Sequence, residues 1–449
     1  MPHTAGIRAH TQQRHRCDTR RVHRRLNGAT TIMASKKVLG LTAATAALVL
    51  GLTACGSDGG GGDDASGGGG GEEFTFGVLY PQTGSLAFLG PPQITAAQYA
   101  VQEINDAGGI LGTEVPAIVE ADEAGDNAQA NEAANALVAD EVNAVIGAAA
   151  SGMTQATYDT ITGAEIVQCS GSNTAAELSD IEDGGYYFRT APSDALSSIV
   201  MARTIADAGH QNVAIVSRGD DYGRGYADGL QTELENLGAQ VTVNETYDPE
   251  ATTFDSVVNA VSGDEPDAVA LIAFEEGAQV IAQLLESGIG GDQLFITDGL
   301  NDTGLGETVN ADDPDSVNGI TGVAPSADNP EFTEGLTAFN EDLDVFQFAP
   351  QVYDCVTAIA LAAEAADSVA PSDYVAELPN ISRPEGTECG SFEECRDLLA
   401  DGEEINYQGV SGNIDFDDNG DPTAATFEIF HFGDDGHEIL AYEEHSVEG

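Results

Sequence analysis

FTFGVLYPQTGSLAFLGPPQITAAQYAVQEINDAGGI, residues 74–110, decides the fold class. A short β-rich run (74–80) is followed by a turn. In the next segment Ile94, Ala97, Val101 and Ile104 fall on one helical face, which predicts a helix over 94–105. Gly108 and Gly109 then stop it. The same unit recurs along the chain. AVIGA precedes a helical pattern at 153–162, IVQCS follows, VAIVS precedes 222–236, AVALIAF precedes 276–285, and LFITD comes next. Strands alternating with helices predict an α/β fold with parallel sheets. In open parallel sheets ligands sit beyond the carboxyl ends of the strands, so the residues just after these runs are the candidates for function. Two such arrays occur, one before and one after RTAPSD (189–194), which reads as a crossing between lobes. The 449 residues are ample for two lobes with separate cores.

Upstream, residues 1–32 are Arg- and His-rich and read as an overlong start, with Met33 a second possible beginning. Lys36 and Lys37, an apolar run over 38–52 and Leu52-Thr53-Ala54-Cys55 make residues 33–55 a lipoprotein-type export signal, with lipidation expected on Cys55. The run is short for a membrane span, which needs ~20 residues. Residues 56–73, GSDGGGGDDASGGGGGEE, have almost no apolar side chain and read as a flexible tether with a reach of ~25 Å. The expected location is therefore outside the cell membrane, held to its outer face by a lipid.

The formal charge is −61; beyond Cys55 the only cations are six arginines, and only one of the 76 acids, Asp18, precedes it. Nucleic acid is excluded as a partner for such a surface. The acids are spread throughout, which fits solubility in a saline medium better than steering of a cationic ligand. Four cysteines remain in the exported body, and an even number outside the cytosol points to disulfides. The short loop in ECGSFEEC favours Cys389–Cys395, leaving Cys169–Cys355. No histidine clusters with them, which argues against zinc. The segment Asp415, Asp417, Asn419, Gly420 opens like a calcium loop, but Thr426 stands where a bidentate acid is required, so it reads as an acidic hairpin turn. No phosphate loop, HExxH or GxSxG pattern occurs, so no enzyme, metal or cofactor is expected.

GVLYPQTGSLAFLGP, EINDAGGILG, VIGAAASGMT, CSGSNTAAELS, YYFRTAPSD, GDDYGRG and YDCVTAIALAA occur in this order. Together they resemble the leucine/isoleucine/valine-binding proteins of bacterial ABC uptake systems, over roughly residue 74 to the end. The resemblance implies a type I periplasmic binding fold: two doubly wound parallel-sheet lobes joined by a three-strand hinge. Lobe 1 is expected over 74–191 and 323–411, lobe 2 over 192–322 and 412–449. It implies a monomer that binds a branched-chain or similar amino acid by hinge closure and docks on an ABC permease. The alternatives are a binder of short-chain amides, urea or small carboxylates, and a ligand-sensing domain for a signalling partner. By the same resemblance Ser151, Ser172 and Thr174 hold the ligand carboxylate, Tyr222 and Asp298 close over it, and Asp298 takes the ammonium. Asp298 is a glutamate in the branched-chain binders. The implied walls are Phe88 or Leu89, Phe274 and Phe348. Ser151 and Thr174 also stand where a helix-capping residue would.

Overall fold

The computed structural model describes residues 73–343, 345–434 and 436–446. The expected export signal, Cys55 and all of the tether except Glu73 lie outside the described residues. Among the described residues no helix is long and apolar enough to cross a membrane.

Two sheets organise the chain. The first has five parallel strands in the order Val119–Asp122, Phe76–Tyr80, Ala144–Gly147, Val167–Ser170, Tyr187–Arg189. Its central strands are buried on both faces, and their alternating side chains feed two cores. Phe76, Val78, Tyr80, Ile146 and Cys169 pack toward the helices Gly90–Asp106 and Ala349–Ala366. Leu79 and Val145 pack on the opposite face with Leu137 and Ile161. This two-sided burial is what a doubly wound sheet requires, and it explains the near-continuous apolar runs in the sequence. The helix expected over 94–105 begins earlier, at Gly90, because Pro91 and Pro92 occupy its first turn, where their missing N–H groups cost nothing.

The second sheet has seven strands in the order Gly436–Ser446, Ala424–Gly433, Thr321–Ser326, Leu294–Thr297, Ala268–Ile272, Asn212–Arg218, Gln240–Tyr247. Ala424–Gly433 runs antiparallel to both neighbours, so the C-terminal hairpin closes an otherwise parallel sheet. The strand Thr321–Ser326 lies wholly in this sheet, so the expected lobe boundary between 322 and 323 falls inside a strand and the return crossing comes after Ser326. A small third sheet, Thr387–Cys389, Ile405–Gly409 and Gly412–Asn413, was not anticipated from the sequence.

Both expected disulfides are formed. Cys389–Cys395 closes a tight loop, whereas Cys169–Cys355 spans 186 residues and pins the end of a central strand to the helix Ala349–Ala366. Closing a loop that long removes substantial entropy from the unfolded chain, typically worth ~2–4 kcal/mol. Gly171 lets the two elements meet, because a Cβ there would lie 2.6 Å from the Val352 backbone nitrogen. The segment around Asp415 is a hairpin turn as read: Asp417 N–H donates to Asp421 O, and Phe416 bridges Pro422.

Candidate functional site

The strand Ala144–Gly147 ends in a loop that leads into the helix Ser151–Thr162, and side chains account for most of its backbone polar groups. Gln168 donates to Gly147 O, Ser170 and Asn173 to Ala148 O, and Glu123 accepts from Ala149 N and Ala150 N at 2.7 and 3.1 Å. Ser151 then accepts from Thr174 N and Ala175 N at 3.3 and 3.1 Å, which locks this loop to the one after Val167–Ser170. Ser151 is the first residue of its helix and makes no cap bond to it; Ala150 is the capping position. With both lone pairs of its oxygen engaged, the Ser151 hydroxyl has its proton free to donate. The Ser172 hydroxyl donates to Gln93 Oε1 at 2.8 Å.

Glu123 is fully buried, and burial pushes its pKa up to about 8 against the pull of the two amides, with Asp122 adding to the rise. A raised folded-state pKa means its stabilising contribution is complete below its unfolded value and is lost as pH rises toward 8. Glu123→Ala strands two buried N–H groups, each worth ~1–3 kcal/mol. The expected result is a loss of about 2–4 kcal/mol in urea denaturation at pH 6, with a smaller loss for Glu123→Gln. A loss below about 0.5 kcal/mol for the alanine variant would show that the loop does not need the brace.

Facing these loops from the second sheet are Tyr222, in the first turn of the helix Asp221–Asn236, and Asp298, directly after Leu294–Thr297. Tyr222 Oη lies 2.7 Å from Thr297 Oγ1 and donates to Asp298 Oδ1 at 2.9 Å. Asp298 is 6 % exposed; burial pushes its pKa up to about 6, with the Tyr222 bond opposing. Gly299 follows because a Cβ there would strike Ala273 O at 2.4 Å and the Phe274 ring at 2.6 Å. Phe274 itself is held between two partners, stacked on Tyr222 at 5.2 Å and 15° and covered by the Arg218 guanidinium at 3.6 Å. Arg218 is fixed in turn by Asp220 and Glu276.

Ser151, Ser172, Thr174, Tyr222, Asp298, Leu89, Phe274 and Phe348 line one tight cavity of only ≈ 10 Å³, together with Leu86, Ala149, Ala150 and Gly299. That is far below the ~300–1,000 Å³ of sites for drug-sized ligands, so the cleft is closed down and has to open to admit one. Phe88 is not among them. The short turn Ala87–Leu89 points Leu89 inward and leaves Phe88 half-buried against the neighbouring core. Roomier hollows lie elsewhere on the surface, including one of ≈ 580 Å³ beside Asn329 and Glu334. None of the expected residues lines that one.

Asp194 was missed by the sequence reading. It opens the helix Asp194–Asp207, is 2 % exposed, and among the described residues neither of its oxygens has a well-formed hydrogen bond. Burial raises its pKa well above the carboxylate range, and the nearby Asp298 charge adds to this, while Thr174 and Arg189 partly offset it. Its only local signal was an acid at a helix start, which is ordinary. The cavity thus has hydroxyl donors and a helix N-terminus at one end, two buried carboxylates at or beside the other, and apolar walls between.

Among the described residues no group of three or more His, Cys, Asp or Glu side chains is placed to hold a metal ion. The family model described as the receptor family ligand binding region matches residues 93–435. The chain is 25 % identical over 367 residues to the Leu/Ile/Val-binding protein BraC3 of Rhizobium johnstonii, covering 80 % of this chain and 91 % of that one. It is 28 % identical over 353 residues to the chemotactic signal transduction system substrate-binding protein BasB of Halobacterium salinarum, covering 76 % and 83 %. The fold matches the leucine-binding protein LivK of Thermotoga maritima with a TM-score of 0.69 at 19 % identity, over 82 % and 98 % of the two chains. It matches LivJ of Streptococcus pneumoniae, solved with isoleucine, with a TM-score of 0.68 at 22 % identity, over 84 % and 100 %. The chain belongs to the receptor-family ligand-binding proteins, in the branch of periplasmic solute-binding proteins typified by the leucine/isoleucine/valine binders.

Proposed function

We propose that this protein is an extracytoplasmic solute-binding lipoprotein of an ABC uptake system, anchored through Cys55, that captures a small aliphatic amino acid between its lobes. The observation that carries this reading is the pairing of opposite chemistries in one small cavity: hydroxyls and a helix N-terminus suited to a carboxylate, and Asp298, with Asp194 buried behind the lining, suited to an ammonium. Two adjacent buried carboxylates are unfavourable, with Arg189 offsetting Asp194 only in part, and an ammonium beside them relieves both. Leu86, Leu89, Phe274 and Phe348 supply the apolar surface for a short side chain.

The cycle follows from this arrangement. The zwitterion docks its carboxylate on the first lobe through Ser151 and Thr174, and the second lobe closes to bring Tyr222 and Asp298 over the ammonium. Closure is driven by the ligand's higher affinity for the closed form. The closed form then presents both lobes to a permease. A sensing role is the second reading, favoured by the likeness to the chemotactic protein BasB; it shares the same binding step and differs only in the membrane partner.

A thermal-shift screen in high salt against amino acids, amides, urea and small carboxylates tests the ligand class. A ligand at 100 times its Kd adds ~2.7 kcal/mol of stability. Shifts confined to aliphatic amino acids are expected. A response to amides or to carboxylates lacking an ammonium, with none to amino acids, would reject the assignment.

A further inference from the structure

Behind Phe348, on the side away from the cleft, lies a second hollow of ≈ 260 Å³. It forms where the loop after Asp298, the end of Thr321–Ser326, the start of the helix Ala349–Ala366 and the C-terminal hairpin come together. Its polar groups have an unusual balance. Asn301 Nδ2 donates both to Glu428 Oε1 at 2.7 Å and to Gln347 Oε1 at 2.6 Å. Ser326 Oγ donates to Glu428 Oε2 at 2.7 Å, and Gln347 Nε2 donates to Pro325 O at 3.1 Å. His437 Nε2 meets Asn301 Oδ1 at 2.8 Å. Asn301 Nδ2 and Ser326 Oγ have no proton left to donate and Gln347 Nε2 keeps one N–H, whereas Gln351 Oε1, on a side chain 2 % exposed, has no partner among the described residues.

The acceptors include a full carboxylate. Glu428 is 6 % exposed and no cation lies against it among the described residues; burial raises its pKa, with Ser326 and Asn301 opposing. Burial also lowers the His437 pKa, with Asp302 opposing, so His437 brings no positive charge to the chamber at neutral pH. The remaining walls include Phe346, Phe348 and Tyr442, whose ring faces attract cations. A buried carboxylate, an unused carbonyl and aromatic faces call for an occupant that is positively charged, rich in N–H donors and partly apolar.

We propose that this chamber is a second binding site, for a small organic ammonium ion held by Glu428 and Gln351 against Phe346, Phe348 and Tyr442. An occupant there rests on the Asp298 loop and on the segment that carries Phe348, two parts that also form the cleft. It would therefore favour the closed arrangement of the lobes and raise affinity for the ligand in the cleft.

The test uses n-butylammonium chloride as the probe, with equal concentrations of sodium chloride as the reference, in high salt so that the general acidity of the surface is screened. The expected result is a saturable rise in melting temperature beyond the sodium reference, and a smaller rise with tetramethylammonium, which has no N–H to donate. Glu428→Gln should weaken the apparent affinity for butylammonium at least tenfold. Gln351→Leu keeps a similar volume, removes the unpartnered carbonyl and should weaken it severalfold, so the site remains testable should Glu428→Gln fold poorly. Asp298→Asn should leave the response intact. A butylammonium response equal to that of sodium, or unchanged in both chamber variants, overturns the proposal. Loss of the response in Asp298→Asn also overturns it, by placing the probe in the main cleft, while a failure of the chamber variants alone leaves the reading of the cleft untouched.

Discussion

Asp298→Asn is expected to weaken binding of an aliphatic amino acid by roughly thirty-fold or more, measured by isothermal titration at pH 7.5. Removing one partner of a buried, hydrogen-bonded charge pair costs ~2–5 kcal/mol, and the lower bound is about thirty-fold in Kd. The substitution is conservative in shape: the asparagine oxygen still accepts from Tyr222, so the Tyr222 and Phe274 stack should survive. What is lost is the charge opposite the ammonium, leaving Asp194 to carry it alone. The pH profile has a defined sign. In the free protein Asp298 has a pKa of about 6, so affinity should fall as pH drops through 6 and the carboxylate takes up a proton. Binding near that pH should release a proton, because the ammonium favours the ionised form. An amide ligand would show neither effect. An unchanged Kd in the variant would remove Asp298 from the site and the amino acid from the assignment.

Of the residues that the family resemblance pointed to, the polar ones of the first lobe and Asp298 share one feature: each stands in the loop or helix start after an apolar run that becomes a strand. Ser151, Ser172, Thr174 and Asp298 all stand at the carboxyl end of a parallel strand, where chain topology gathers ligand contacts whatever the side-chain packing. The alternation of runs and helices gave the two parallel arrays for the same reason. Residues whose role depends on long-range packing were not legible. Glu123 lies in EADEAGD, and only its complete burial separates it from the acids around it. Asp194 resembles any helix-opening acid until its neighbours Asp298 and Thr174 are in place. Arg218 covers Phe274 across two strands, a contact that no local pattern encodes. The C-terminal hairpin joins its sheet antiparallel, which strand-helix alternation does not announce. Phe88 and Leu89 differ by one position in a single-turn helix, so one residue of phase decides which of them faces the ligand.

Asp421→Asn is expected to cost about 3–5 kcal/mol of stability, because Arg189 is fully buried and Asp421 is its counter-ion. Arg189 makes a fork to that carboxylate, Nε to Oδ1 at 2.6 Å and a terminal nitrogen to Oδ2 at 2.8 Å. Its remaining reach goes to Ala175 O and Ser179 Oγ, both at 2.8 Å, and its own N–H donates to Gly420 O at 3.0 Å. The two residues belong to different crossings: Arg189 ends the last strand of the first sheet, and Asp421 lies on the segment leading to Ala424–Gly433 in the second. The pair therefore ties two hinge segments together and, through Ala175, holds the loop that carries Thr174. Asparagine leaves the guanidinium buried with a neutral partner, so the penalty arises from an unpaired charge and not from lost volume. Urea denaturation of both proteins at about 0.2 and about 2 M sodium chloride separates this from surface effects, since salt screens exposed charges and not a pair buried to this degree. The difference between variant and wild type should persist at both concentrations, while both proteins gain stability from the screening of their acidic surfaces. A difference below about 1 kcal/mol, or one that vanishes in high salt, would show that the pair is solvated in solution and does not hold the hinge.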